Sequence, residues 1–160
     1  MKLVLALREL HRSETSLAHR FRRVGERHKA DHDIFHLCAD LAGWSEDHVA
    51  KLAGAGRSHG VRLAESPPRP GRVLSSLREL TSVGLGRRPE PGLLLLADLR
   101  SLHLHAAAVS VDWELLAQGA QAARDQELLE LSARCHPETL RQMDWANTKL
   151  KELAPQVLMS

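Results

Sequence analysis

Along the first thirty residues apolar side chains recur at Leu3, Leu7, Leu10, Leu17, Phe21 and Val24. Steps of four and three mark one face of an α-helix, and Glu14 fills the place in that seam where another apolar residue is expected. Ala30-Asp31-His32-Asp33 is a polar break with a capping residue for a second helix. That helix sets Ile34, Leu37, Leu41 and Trp44 on one stripe and Phe35, Cys38, Ala42, Val49 and Leu52 on an adjoining one. Gly54, Gly56 and Gly60 are expected to end it. A third helix starts near Gly92 and repeats through Leu95, Leu99, Leu102, Ala106, Val109, Trp113, Leu116 and Ala120. After a turn around 122–126, Leu128, Leu129 and Leu131 open the last segment. Its seam continues through Leu140, Met143, Leu150, Ala154 and Val157, with polar Asn147 among them. Pro137 is expected to kink or divide this segment and Pro155 to disrupt its end.

Residues 61–91 have a different character. Proline and glycine cluster in Ser66-Pro67-Pro68-Arg69-Pro70-Gly71 and again over 84–92, and between them Val73, Leu74, Leu77 and Leu80 fit one short amphipathic helix. Short link, long crossover, short link is the order that makes two helical hairpins. The expectation is an all-α, ferritin-like antiparallel four-helix bundle with one long crossover carrying a short helix. It forms a single domain over 1–160, with helices over about 2–29, 32–56, 92–121 and 125–154 and the crossover over about 57–91.

Composition agrees with that reading. Apolar residues make up 43% and aromatic ones only 3%, with leucine dominant, which argues against a β sandwich, a β barrel or a Rossmann sheet. Lysine and arginine number 22 against 20 acidic residues, too balanced for a dedicated nucleic-acid binder. Arg20, Arg22, Arg23, Arg27 and Lys29 cluster on the first helix, mixed with Glu26, and read as a solvated face. Cys38 and Cys135 lie far apart and suit a reducing compartment, and Cys38 on an apolar stripe reads as a small hydrophobe. The apolar start Leu3–Leu7 is too short for a signal peptide, and the run Leu93–Ala97 is broken by Asp98 before it could span a bilayer. The chain is therefore expected to be cytoplasmic, with neither membrane nor nucleic acid as a partner.

Polar residues on the seams are where chemistry would sit. Besides Glu14, His48 continues the stripe through Leu41 and Trp44; Asp98, His105 and Asp112 lie seven apart beside the third seam; His136 and Glu138 flank Pro137. A buried carboxylate needs a charged or hydrogen-bonding partner or a metal, so Glu14 either pairs with an Arg or His of a neighbouring helix or acts as a ligand.

With Glu14 in mid-helix, Glu46-Asp47-His48-Val49-Ala50-Lys51-Leu52 in the second helix and Glu138-Thr139-Leu140-Arg141-Gln142-Met143-Asp144-Trp145 in the fourth, the chain resembles the ferritin-like superfamily. The resemblance implies a di-iron site built from a first-helix Glu and a second-helix Glu-x-x-His, matched by helices three and four. Glu14 and His48 fill two of those places. Ser45 stands where the second Glu belongs, and Arg141, a permanent cation unable to ligate iron, stands where Glu138 should be followed by His.

The leading expectation is thus a bundle without a complete di-iron site and with no cofactor. It would act as a binding, structural or stress-associated protein that forms a homo-oligomer through a bundle face. The alternative is an iron-dependent oxidase or metal-storage protein in which Glu14, His48 and Glu138, with Asp112 or His105, hold iron or manganese. A helical adaptor docking a protein through the Pro-rich segment 66–71 is a third reading. Two further motifs are weaker. His28, His32 and His36 have chelating spacing if they share a helix. Gly54-x-Gly56-x-x-x-Gly60 follows a helix rather than a strand, so it is read as a helix end and not a phosphate loop.

Overall fold

A computed structural model describes residues 2–69 and 90–160, so the short helix expected over 73–80 lies outside the described residues. Four α-helices form a bundle: α1 Leu3–Arg27, α2 His32–Ser58, α3 Pro91–Ala123 and α4 Gln126–Leu158. No strand occurs among the described residues.

The helix ends follow from local chemistry. The Asp31 carboxylate accepts from the Ile34 amide at the start of α2, and that of Asp125 accepts from the Leu128 amide at the start of α4. Each satisfies one of the amides that an α-helix leaves open in its first turn. Arg124, with a φ of 56°, ends α3 in the left-handed region. At the end of α2, Gly60 takes a φ of 72°. Gly54 and Gly56, expected to terminate this helix, lie inside it instead. A Cβ on Gly56 would sit 3.0 Å from the Val61 carbonyl oxygen. Its missing side chain lets the chain fold back across the helix, where the Val61 amide donates to the Gly56 carbonyl. Glycine here is a place of close approach, not a terminator.

Pro137 does not divide the last segment, and Pro155 does not end it. Both lie within α4, which continues to Leu158. A proline in mid-helix leaves the carbonyl four residues earlier without its amide donor. That carbonyl belongs to Ala133, and both Ala133 and Pro137 are on the exposed face, where water can serve it.

The seam expected for α1 is buried in full, Glu14 included, and so is that of α3 apart from half-buried Leu95. In α4 the seam is displaced by one position. Leu140 is 37% exposed and Met143 half-buried, whereas Leu128, Leu131, Cys135, Thr139, Gln142 and Ala146 face inward. Burying Thr139 and Gln142 in place of Leu140 is tolerable because both find hydrogen-bond partners inside the bundle.

α1 packs on α2 and α3, α3 packs on α4, and α2 meets α4 more lightly. Near the end of α1, Gly25 lies so close to α2 that an added Cβ would come within 3.1 Å of that of Cys38. Earlier in α1, Arg22 forms a two-pronged ion pair with Glu46, and the His11 ring donates to the Ala64 carbonyl just beyond α2. Between α3 and α4, Gly92 abuts Val157, His103 donates to the Met143 carbonyl, and Ser110 hydrogen-bonds His136. In both pairs, later positions in one helix meet earlier positions in the other.

Candidate functional site

One carboxylate joins all four helices. Glu14 of α1 is fully buried, and its Oε1 accepts from His48 Nδ1 of α2 at 2.8 Å, from Trp113 Nε1 of α3 at 2.7 Å and from Thr139 Oγ1 of α4 at 3.3 Å. The helical repeat puts Glu14 on the inner face between Leu10 and Leu17. The same repeat brings His48 inward one turn after Ser45. Trp113, the largest fully buried side chain, supplies apolar bulk around the cluster and an N–H at its edge. Its ring stands edge-on to His48, with centroids 5.7 Å apart.

The far side of the His48 ring faces Glu138. His48 Nε2 lies 3.4 Å from Glu138 Oε2, and both His48 Nε2 and Glu14 Oε2 are buried without a hydrogen-bond partner. Burial by itself would lower the pKa of His48. The hydrogen bond to Glu14 and the charges of Glu14 and Glu138 outweigh it, and the pKa is raised. The arrangement is an imidazole between one buried and one half-exposed carboxylate, hydrogen-bonded to the first and 3.4 Å from the second.

A second polar contact lies alongside. Gln142 Nε2 of α4 donates to the Leu41 carbonyl and to Ser45 Oγ of α2, at 2.8 and 2.9 Å. Ser45, at the position where a ligand carboxylate would be required, is therefore a hydrogen-bond acceptor for the facing helix. Near the end of α2 the His59 ring donates from Nδ1 to the Ala55 carbonyl and from Nε2 to Asp125 Oδ2. An imidazole with both nitrogens donating is protonated. In agreement, the hydrogen bond to Asp125 raises the His59 pKa, and the one from His59 lowers that of Asp125.

Of the five residues expected as metal ligands, Glu14, His48 and Glu138 come together, while His105 and Asp112 do not join them. His105 donates to the Ser101 carbonyl and borders a shallow surface groove with Arg12, Ser13 and Ser16. Asp112 is half-buried and makes no hydrogen bond or ion pair with the other three. Asp98, in the same heptad series, pairs with Arg27 and His28 at the end of α1. His28 lies beyond α1, and His32 and His36 stack at the start of α2, so the three histidines do not share a helix.

Two donor atoms of this cluster, Glu14 Oε2 and His48 Nε2, are without a hydrogen-bond partner, but the rest of the expected ligand set is not assembled around them. Glu14 Oε1 and His48 Nδ1 are spent on each other, Arg141 is exposed, and among the described residues no group of three His, Cys, Asp or Glu side chains is arranged to hold one. Cys38 and Cys135 are free and buried, and burial pushes both thiols up to about 12, far from a reactive thiolate. Among the basic residues of α1, Arg22 and Arg27 are committed to Glu46 and Asp98.

Sequence patterning singles out Glu14 and His48 but passes over Thr139, Gln142 and the indole N–H of Trp113. A signal for two of them exists: Ser132, Cys135, Thr139, Gln142 and Ala146 recur in steps of three and four, a stripe of small and polar residues beside the leucines. No protein-family model, no curated protein and no solved structure matches this chain.

Proposed function

We propose that the protein is a binding or structural helical bundle of the ferritin-like, antiparallel type, in which the central Glu14–His48 pair holds the four helices together in place of a di-iron centre. One observation carries this reading: a single carboxylate oxygen of Glu14 already accepts from one side chain of each other helix. The opposed order of contacts in α1 with α2 and α3 with α4 supports the antiparallel arrangement. Substitution of Ser45 and Arg141 for ligands, with Ser45 engaged by Gln142, supports loss of the metal site. The bundle works by presenting its outer faces, self-associating through one of them, and the two buried free cysteines suit a reducing cytoplasm.

The test is metal content. Protein purified without an affinity tag from iron-supplemented cells is expected to carry iron and manganese well below one per chain, and Glu14→Ala to change stability without changing that content. Iron or manganese near one or two per chain, lost in Glu14→Ala at little cost to the fold, would overturn the reading in favour of an oxidase or storage protein.

A further inference from the structure

We propose that the outward face of α3 is the surface on which a second copy of this chain docks, the two α3 helices running in opposite directions across a twofold axis near Ala107. The inference rests on the self-association included in the proposed function and specifies its face and orientation.

By length and composition α3 is apolar enough to cross a membrane, in contrast to what the short run Leu93–Ala97 implies, yet only 22% of its most apolar window is buried. The explanation is a second apolar stripe opposite the buried seam. Leu104 is 48% exposed, Val111 52% and Leu115 61%, with exposed Ala108 between them and Leu93, 47% exposed, further along. Steps of four, three and four keep the stripe on one side of the helix. A strip of this kind is comparable to the largest apolar patch of an ordinary monomer, and such patches often serve as contact surfaces.

Charge selects the occupant and its direction. Arg100 and Glu114 are both exposed. At 3.6 residues per turn they lie about 40° and about 80° from Leu104 on the same flank, about 21 Å apart along the axis. In two oppositely directed copies the same flanks meet, so a twofold midway between these residues sets each Arg100 against the Glu114 of the other copy. Parallel copies would not form this cross-pairing. The contact is isologous and closes after two chains. Small Ala107 and Ala108 at the axis let the helices approach closely.

A lipid surface fits less well. Helices that lie on membranes carry several basic residues on the polar face, whereas α3 has Arg100 alone against Asp98, Asp112 and Glu114. The strip from Leu93 to Leu115 is about 33 Å long and about 10 Å wide, giving about 330 Å² per copy. A standard interface buries about 800 Å² per partner, so the dimer is a weak, concentration-dependent one.

Sedimentation velocity of the full chain from about 1 to about 500 μM tests this. The intact protein is expected to pass from monomer to dimer within that range. Arg100→Glu and Glu114→Arg should each weaken the dimer at least about tenfold, and the two together should restore it to within about threefold, at unchanged helicity by circular dichroism. Val111→Asp should abolish it. Dimerisation indifferent to these substitutions overturns the α3 face and leaves self-association standing. A protein that stays monomeric throughout overturns both. Binding of monomer to phosphatidylcholine vesicles, lost in Val111→Asp, overturns the dimer in favour of a lipid surface.

Discussion

The junction of α1 with α2 and that of α2 with α4 are built on different principles. Where α1 meets α2, a glycine faces the Cβ of a cysteine and the backbones come close, with apolar side chains making up most of the contact and Glu14–His48 and Arg22–Glu46 as its polar links. Where α2 meets α4 the packing is lighter, and polar contacts span it: Gln142 to Ser45 and the Leu41 carbonyl, His48 to Glu138, His59 to Asp125 and Ser58 to Glu127. Close apolar packing is tolerant of which residues meet. Directed hydrogen bonds are satisfied in one register only, so the lighter junction fixes alignment while the tighter one contributes most of the burial. Glu14 belongs to both.

Removing Glu14 therefore damages both junctions at once. Glu14→Ala leaves His48, Trp113 and Thr139 without their acceptor, and a loss of about 3–5 kcal/mol is expected on breaking a buried pair. Urea denaturation reads it as a lower midpoint at unchanged slope. Gly25→Val strikes the close junction alone, driving a branched side chain against Cys38 at a cost of about 1–3 kcal/mol. Gln142→Leu strikes the other, removing the bonds to Ser45 Oγ and to the Leu41 carbonyl, which keeps only its helical amide donor, and about 1–3 kcal/mol is expected there too. The two should differ in kind. Gln142→Leu should broaden the amide spectrum of α2 and α4 as alignment loosens, and Gly25→Val should lower the melting temperature while leaving those signals sharp. The opposite assignment would sink the distinction.

Acidity offers a gentler probe. His48 and His59 both have raised pKa values in the folded chain. Stability from a raised histidine is fully present below its unfolded value, near 6.5, and is lost as pH climbs through the folded value. The melting temperature should therefore fall as pH rises above about 6.5. Glu14→Gln removes the charge that holds the His48 proton, so its decline should be shallower, with the remainder due to His59. Asp125 has a lowered pKa and acts with the opposite sign. Its contribution is present above about 3.8 and lost as pH falls through the depressed value. The smallest effect is expected at Arg22, 49% exposed and paired with Glu46 on the surface. Arg22→Ala should cost no more than about 1 kcal/mol and less in high salt.

The four helices among the described residues are legible in the sequence because α3, and α1 apart from Glu14, keep a regular apolar period. The inner face of α4 is not. There the leucines and the polar-small stripe are neighbours on the helix, and pattern favours the leucines. What decides is whether Thr139 and Gln142 find partners on other helices, which no local spacing contains. Glu14 and His48 stand out for the converse reason, since each interrupts an apolar stripe. Whether they meet each other or a metal depends on the angle between helices. Likewise a proline inside α4 reads as a break until it is known that its face is wet.

Trp113 has a consequence beyond packing. Its indole donates to the carboxylate at the centre and stands edge-on to the ring that carries the proton. The other two tryptophans, Trp44 and Trp145, are half-buried. The bundle thus contains a built-in optical reporter. Indole emission responds to its polar surroundings, so the state of the Glu14–His48 pair should be readable in the part of the emission that Trp113→Phe removes.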